Sequence, residues 1–293
     1  MSIDPDWALY RTLLSVLDEG SLSAASRALG LTQPTVARHI DALEAALGVD
    51  LFIRSQRGLE PTDLAFSLHA QAQIMATTAA ALLRTASGTT GEVAGTVRIT
   101  ASDVVVVEHL PAILTRLRQA QPKVVIELSL TDRVSDLLAR EADIAIRMTE
   151  PTQGALLARR LPSIDLGFHA HRDYLAAAGT PASIADLSAH ALIGYDADTR
   201  ALRVMAAKLP ALDRANFALR ADSNLAQLGM IRAGFGIGLC QTVIAKRDPA
   251  LVRVLPEVTL PLPLWIVMHE DLKTTARYRV VFDALAEGLA RSD

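Results

Sequence analysis

The stretch Gly20–Gly48, GSLSAASRALGLTQPTVARHIDALEAALG, constrains the fold of this chain more than any other part of it. It contains two short segments with the apolar spacing of helices, separated by a turn of about four residues. Ser21 is a typical N-cap and Gly30 a typical C-cap of the first segment, whereas Thr32 and Pro34 are typical of the start of the second. These signals predict two short helices joined by a tight turn.

The second helix is predicted to have a narrow apolar stripe and a polar N-terminal half. At 100° per residue, one side of it holds Val36, Ile40, Leu43 and Leu47. The opposite side holds Pro34, Thr35, Arg38, Asp41, Ala42 and Ala45. A helix that enters the DNA major groove needs such a face, because small residues allow close approach and Arg or Gln can read base edges. An ordinary helical hairpin in a core has the same amphipathic pattern, so both interpretations stay open at this point.

The segments that flank this pair add a further helix and a hairpin. Asp6–Gly20, DWALYRTLLSVLDEG, has helical apolar spacing and ends at a glycine. Val49–Thr62, VDLFIRSQRGLEPT, has two short extended pieces on either side of a Gln-Arg-Gly turn, which predicts a small β-wing. A wing next to the two helices favours the DNA-binding interpretation over an ordinary helical hairpin.

Residues 63–88 predict one long helix of low charge. Leu68, Met75 and Leu82 are seven residues apart, as in a helix seam that contacts another helix. The formal charges of this segment are those of Asp63 and Arg84. We expect a self-associating linker rather than a helix packed only on its own domain. A flexible joint, SGTTGEVAG, follows it.

From residue 95 onward, strand-like and helix-like segments alternate, which predicts a doubly wound α/β architecture of one domain or two lobes. The predicted strands are Thr96–Ala101, Val124–Leu130, Asp143–Met148, Ile164–His169, Ala191–Tyr195, Phe217–Ala221, Ile237–Cys240 and Leu264–His269. The predicted helices are Val104–Gln119, Val134–Arg140, Leu225–Ala233 and Thr275–Leu289.

Composition favours a folded cytoplasmic protein but does not by itself indicate DNA binding. The 293 residues are 51% hydrophobic and 21% charged, with one cysteine and no apolar run that resembles a signal peptide or a membrane span. The net charge is −3, and the first 62 residues carry five arginines against eight carboxylates. Because phosphate contacts dominate DNA affinity, a DNA-binding domain here must have its arginines on the surface that faces DNA and its carboxylates on other surfaces.

The stretch SLSAASRALGLTQPTVARHIDALEAALGVDLFIRSQRGLEPT closely resembles the winged helix-turn-helix of LysR-type transcriptional regulators. The resemblance continues, in the family's order, through GTVRITAS, DIAIR, HRDYLAAAGTP, AGFGIGL and HEDLKTTARYRVVFDAL, and so covers almost the whole chain. Two positions depart from the family. Ala37 stands where the family usually has serine, and PTDLAF replaces the usual Thr-Gly pattern at the start of the linker helix.

The resemblance implies an N-terminal all-α winged helix-turn-helix plus a long linker helix, followed by a C-terminal α/β two-lobed effector domain that is periplasmic-binding-protein-like. The implied domains are a DNA-binding domain (4–62, with the helix-turn-helix at about 21–40), a linker or dimerisation helix (63–88) and an effector-binding domain (95–293). Lobe 1 would be about 95–164 and 269–293, and lobe 2 about 165–268.

The resemblance also implies function and partners: a sequence-specific regulator that binds double-stranded operator DNA as a homodimer or homotetramer, responds to a small-molecule effector and contacts RNA polymerase. By position, the expected DNA-contacting residues are Ser23, Gln33, Pro34, Thr35, Arg38 and His39 in the helices and Arg54 and Arg57 in the wing. Pairing of two linker helices would present two recognition helices to a pseudo-palindromic site.

Candidate effector-binding residues follow the carboxyl ends of the predicted strands, where open α/β sheets bind ligands. They are Ser102, Asp103, Thr131, Arg147, Asp222 and Ser223. Ser102 is also a candidate N-cap, and Arg147 is also a candidate partner of Asp143 or Glu150. Asp103 is expected to repel an anion or to select a ligand with an amine.

The alternatives are a solute-binding protein and an α/β enzyme, and the sequence favours neither. The glycines of AGFGIGL follow a helix and precede a strand, the reverse of a dinucleotide-binding loop. His169 and His171 lack a third metal ligand nearby, and Cys240 lacks a second cysteine for a disulfide switch. We therefore expect no catalytic residues, no metal, no cofactor and no redox role for Cys240.

Overall fold

The computed structural model describes residues 4–55, 58–86, 93–131, 142–151 and 156–291. By its internal contacts the chain divides into two compact units, with a boundary at Leu83 and Arg84. In the part of the chain that the structure describes, no helix is both long and apolar enough to span a membrane.

The N-terminal unit begins with three helices whose ends match the sequence signals. They are α1 (Trp7–Glu19), α2 (Leu22–Leu29) and α3 (Gln33–Leu47). The side chains of Ser21 and Thr32 accept hydrogen bonds from the first turns of α2 and α3. All three helices end at a glycine with positive φ, at Gly20, Gly30 and Gly48, a conformation that side-chain-bearing residues rarely adopt.

A short hairpin and a long helix complete this unit. Strand β1 (Phe52–Ser55) pairs antiparallel with β2 (Gly58–Pro61), and α4 (Asp63–Ala86) follows. The core contains Leu13, Val16, Ala25, Val36, Ile40, Leu43, Leu51, Phe52 and Ala65. His69 of α4 binds Asp18 of α1 at 2.7 Å, so the first turns of α4 are anchored to the three-helix core.

The C-terminal unit is built on a mixed sheet flanked by helices. Its strands are β3 (Gly95–Ala101), β4 (Val124–Leu130), β5 (Ile144–Arg147), β6 (Leu156–His171), β7 (Leu192–Gly194), β8 (Phe217–Arg220), β9 (Ile237–Gln241), β10 (Leu251–Val254) and β11 (Leu260–His269). Its helices are α5 (Asp103–Glu108), α6 (Leu110–Ala120), α7 (Arg172–Ala178), α8 (Arg200–Lys208), α9 (Asn224–Arg232), α10 (Thr242–Ala245) and α11 (Ala276–Ala290). Short 3-10 turns lie at Ile184–Ala189, Pro210–Leu212, Arg214–Asn216 and Glu270–Leu272.

Two long strands join the two lobes of this sheet. The strand order is β4-β3-β5-β11-β6-β9-β7-β8, with β10 also paired to β6. The first half of β6 pairs with the part of β11 that also pairs with β5, whereas the second half of β6 pairs with β9. Strands β6 and β11 therefore cross from one lobe to the other near residues 161–165 and 260–264.

The structure corrects the sequence prediction at several elements. The predicted helix Val104–Gln119 is two helices that meet at His109, because Pro111 in the first turn of α6 removes a backbone donor and crowds the preceding turn. Strand β6 begins eight residues before the predicted start, Ile164. The prediction also missed α7, α8, α10 and β10. The predicted helix Val134–Arg140 lies outside the described residues.

Candidate DNA-reading and effector-binding sites

The N-terminal half of α3 presents an exposed polar surface over a buried apolar stripe. Gln33, Pro34 and Arg38 are exposed, and Thr35 is half-buried. Beneath them, the stripe of α3 is buried in the core of the unit. The surface is therefore held by a rigid helix, with one guanidinium and one carboxamide free to reach a groove.

His39 is turned toward α1 rather than fully outward. Its Nδ1 lies 2.8 Å from Oγ1 of Thr12, a residue that is almost completely buried. The Thr12 hydroxyl also lies within hydrogen-bond distance of the Ala8 carbonyl, to which it can donate. This contact fixes α3 against α1. The other ring nitrogen of His39 is the one left for the predicted contact with DNA.

Ser23 is exposed near the start of α2, and its Oγ accepts a hydrogen bond from Arg27 at 3.1 Å. Arg27 is itself exposed and is a cation that the sequence prediction did not include. The signal was available, since a pair four residues apart on a helix lies on one face. Together they form a polar patch at the helix-turn-helix.

The wing is held to α3 by a carboxylate. Glu44 Oε1 accepts the backbone N–H groups of Leu51 at 2.7 Å and of Phe52 at 3.0 Å. No local sequence pattern indicates this role of Glu44, because its partners lie beyond the turn at Gly48. Arg54 has its backbone in β1, opposite Leu59, and Arg57 lies outside the described residues.

In the C-terminal unit, Asp103 and Ser223 meet across the two lobes. Ser223 Oγ donates to Asp103 Oδ2, and the N–H of Leu225 at the start of α9 lies 3.3 Å from the same oxygen. Asp103 Oδ1 also accepts the N–H of Val104 at 2.6 Å. A carboxylate of lobe 1 therefore occupies the N-terminus of a lobe 2 helix, a position that favours negative charge.

Ser102 lies beside this contact, at the carboxyl end of β3, and is buried. It is the N-cap residue of α5, but its side chain makes no capping hydrogen bond. Ser102 thus lies at the predicted N-cap position, but the nearest free amide, that of Val104, is bound by Asp103 instead of by the Ser102 hydroxyl. The Ser102 hydroxyl remains available for other partners.

The remaining predicted effector-binding residues bind their own lobes. Arg147 is buried and donates to the carbonyl and the hydroxyl of Thr100, each at 3.2 Å. The N–H of Thr131 donates to the carbonyl of Ala101 at 3.0 Å. Asp222 accepts the N–H groups of residues 196 and 197 at 3.0 and 2.8 Å. Thr131 thus follows β4 and Arg147 ends β5, the two strands that neighbour β3, whereas Asp222 stabilises a loop of lobe 2.

A second interlobe contact was not predicted from the sequence. Arg232, at the end of α9, binds Glu108 at the end of α5 through two hydrogen bonds of 2.6 and 3.2 Å. Arg247 also donates to the Glu108 carbonyl at 2.7 Å. Because Asp103 holds the other end of α9, helices α5 and α9 are tied at both ends.

Cys240 is buried, and burial raises the pKa of its thiol to about 12. Its Sγ lies 3.3 Å from Nδ1 of His169. Burial also lowers the pKa of His169, which disfavours the charged ring that would stabilise a thiolate. Since the thiolate is the reactive form of cysteine, this environment argues against redox sensing.

In the described residues, no group of three or more His, Cys, Asp or Glu side chains is arranged to hold a metal ion. His169 Nδ1 lies 2.9 Å from the Gly167 carbonyl, and His171 caps α7. The two histidines of this strand therefore have structural partners.

Known proteins match both units. Residues 7–65 match the family described as "Bacterial regulatory helix-turn-helix protein, lysR family", and residues 90–290 match "LysR substrate binding domain". The probable HTH-type transcriptional regulator LtrA of Klebsiella pneumoniae is 27% identical over 297 residues, which cover 98% of this chain and 95% of LtrA. The HTH-type transcriptional regulator PtxR of Pseudomonas aeruginosa is 27% identical over 284 residues, covering 95% and 91%.

Solved structures share the fold along the whole chain. CrgA, a LysR-type transcriptional regulator from Neisseria meningitidis, superposes with a TM-score of 0.60 at 24% identity, covering 97% of this chain and 99% of CrgA. Full-length CbnR in complex with its target DNA superposes with a TM-score of 0.68 at 20% identity, covering 98% and 100%. These structures share the fold, and the two family matches show that the chain belongs to the LysR family of transcriptional regulators, with a helix-turn-helix DNA-binding domain and an effector-binding domain.

Proposed function

We propose that α3 reads operator DNA in the major groove through Gln33, Thr35 and Arg38. The observation that carries this proposal is the exposed polar half of α3 above a buried stripe. Ser23, Pro34 and His39 would contribute contacts at the edges of this surface. Arg54 and Arg57 of the wing would meet phosphates or the minor groove. Ala37 leaves the centre of the reading face without a hydroxyl.

The domain boundaries fit this division of labour. Residues 4–62 would form the DNA-binding domain, 63–88 the dimerisation helix and 95–293 the effector domain, with lobe 1 at about 95–164 and 269–293 and lobe 2 at about 165–268. Exposed apolar side chains on α4 support self-association: Phe66, Met75, Leu82 and Leu83 are exposed. Leu68, by contrast, packs on the N-terminal core.

Assembly into a homodimer or homotetramer would also compensate for the small number of cations in one DNA-binding domain. One domain has few cations, but two domains on one operator double the contact set without any new residue. Such an assembly would bind a pseudo-palindromic site, act on RNA polymerase and work in the cytoplasm, where it meets chromosomal DNA. The protein would act by binding and not as an enzyme.

The effector would bind in the cleft beside Ser102, Asp103 and Ser223. The tie between Asp103 and Ser223 lies where a ligand would have to enter, so a ligand with a hydrogen-bond donor or an amine would replace Ser223 as the partner of Asp103. Arg147 and Thr131 line the adjacent strand ends, and Asp222 supports the facing loop. An effector that favours one lobe arrangement would change the spacing of the recognition helices.

A gel-shift experiment with the DNA upstream of the protein's own gene tests this proposal. We expect a complex that competitor DNA of unrelated sequence does not displace and that weakens steeply with salt. Arg38→Ala is expected to weaken it by about 1 to 3 kcal/mol. Arg116→Ala, which removes an exposed arginine of α6, is the matched control. If Arg38→Ala binds the DNA as tightly as Arg116→Ala does, Arg38 does not belong to the reading face. If no complex with a preference for this DNA sequence forms, the proposal is refuted.

A further inference from the structure

Ser23 and Arg27 lie on the same exposed side of α2. The opposite side of this helix is turned toward the core, where Ala25 and Ser26 are buried. Residues four apart on a helix are neighbours on its surface, and Arg27 Nη1 donates a hydrogen bond to Ser23 Oγ at 3.1 Å. Both side chains are exposed, so the pair forms a polar surface that the core of the unit does not use.

The Ser23–Arg27 pair has hydrogen-bond donors left for a partner. In the contact between the two side chains, the Ser23 hydroxyl oxygen is the acceptor, so its own proton is left to donate. The guanidinium of Arg27 retains further N–H groups besides the one that bonds Ser23. Several donors beside one positive charge are the chemistry that recognises the oxygens of a phosphate group.

The charge of Arg27 is not neutralised by a neighbouring carboxylate in the part of the chain that the structure describes. Acidic residues of the N-terminal unit have roles elsewhere: Asp6 caps α1, Asp18 binds α4, and Glu44 holds the wing. The first 62 residues carry five arginines against eight carboxylates. A cation that stays unpaired on the surface of such a domain is therefore available for contact with a polyanion.

Helix α2 leads directly into the helix that is proposed to read DNA. Ser23, Arg27 and Gly30 follow one face of α2, because they are four and three residues apart. Gly30 ends α2 two residues before Thr32, the N-cap of α3. In helix-turn-helix proteins the second helix lies in the major groove and the first crosses the DNA backbone. The exposed side of α2 would therefore lie beside phosphates when α3 occupies the groove.

We propose that Ser23 and Arg27 together bind one phosphate of the DNA backbone. This inference rests on the proposed placement of α3 in the major groove. The Arg27 N–H groups and the Ser23 hydroxyl donate to the phosphate oxygens, and the hydrogen bond between the two side chains holds the guanidinium in place before DNA binds. Because a phosphate contact carries no base information, Arg27 adds affinity for every duplex alike, whereas Arg38 contributes to the choice of sequence.

The salt dependence of binding to two duplexes tests this contact. One duplex is the DNA upstream of the protein's own gene, and the other has an unrelated sequence. Arg27→Gln is expected to lower the slope of log K against log salt concentration by about 0.9 for each chain in the complex, on both duplexes. Over a roughly tenfold rise in salt, the wild type should therefore lose roughly eightfold more affinity per chain than the variant does. Arg27→Lys keeps the charge and should keep the slope, as should the matched control Arg116→Ala in α6.

A double-mutant cycle tests whether the two side chains bind one phosphate together. Ser23→Ala is expected to weaken binding roughly threefold in the wild type and to have little further effect in Arg27→Gln. Melting curves followed by circular dichroism should show that both variants remain folded, since both side chains are exposed. If Ser23→Ala weakens binding equally in the two backgrounds, the residues act separately and the shared phosphate contact is refuted.

The outcomes distinguish this contact from the proposed reading of DNA by α3. If Arg27→Gln has the same slope as the wild type, the phosphate contact is refuted and the role of α3 stands. If Arg27→Gln weakens binding to the upstream DNA alone, Arg27 reads a base, and the phosphate contact is likewise refuted. If the wild type binds neither duplex, both proposals fail.

Discussion

The two units of this protein place their polar groups in opposite ways. In the N-terminal unit, the polar residues proposed to read DNA lie on the outside of an apolar core, as Gln33 and Arg38 do. In the C-terminal unit, charged and polar side chains such as Arg147, His109 and Thr242 are buried. Reading a groove requires a rigid helix with exposed side chains. Sensing a small molecule requires buried polar groups whose partners can change.

Removing core volume in the N-terminal unit should have the largest effect. Leu43 is fully buried on the stripe of α3, so Leu43→Ala is expected to destabilise this unit by about 2 to 5 kcal/mol. DNA binding should be lost with it. Urea unfolding followed by circular dichroism measures the change, and Ala45→Ser on the exposed side of α3 is the control. If the Leu43→Ala variant is as stable as the wild type, the reading surface does not depend on this core.

Replacing one glutamate by glutamine in each unit should separate the DNA-binding role of the N-terminal unit from the effector-binding role of the C-terminal unit. Glu44→Gln weakens the acceptor of two wing amides and is expected to cost about 1 to 2 kcal/mol and to weaken DNA binding. Glu108→Gln weakens the tie to Arg232 at a similar cost, and should alter effector affinity instead. Gel shifts and thermal melts on both variants test this. Loss of DNA affinity in Glu108→Gln alone would reverse the assignment.

Lowering the pH should produce the smallest change in stability, and this change should arise in the C-terminal unit. Burial lowers the pKa of His109 and of His169 below the ordinary value of 6.5. The folded state therefore binds fewer protons than the unfolded state, and stability falls as the pH drops through 6.5. Urea midpoints across this range measure the slope. His109→Gln should reduce it, and an unchanged slope in that variant would show that His109 is not one of the groups responsible.

The local elements were predictable because their signals lie within a few residues. The bounds of α2 and the start of α3 follow from Ser21, Gly30 and Thr32, which satisfy or end helical hydrogen bonds at those positions. Strand β4 also matches its predicted range. The sequence failed at β6, whose first half carries Pro162 and two arginines and lacks the apolar alternation of an ordinary strand.

The candidate sites were predictable only in part. The order of strands placed Ser102, Thr131 and Arg147 at neighbouring strand ends, because parallel strands share an edge. It did not show that Asp103 reaches Ser223, since these residues are 120 positions apart. Nor did it show that Glu108 binds Arg232. Side-chain chemistry alone does not say which distant groups will meet.

The sequence by itself determined the helix-turn-helix, the long helix of low charge, the α/β alternation and the family, because caps, glycines and apolar periods act over one or two turns. Tertiary structure alone decided that His39 binds Thr12, that Glu44 holds the wing, that α5 is tied to α9, and that the pairing of β6 with β11 is irregular between Leu262 and Leu264. The reason is physical: capping energies depend on neighbours in sequence, whereas the partner of a buried polar group depends on which surfaces the packed core brings together.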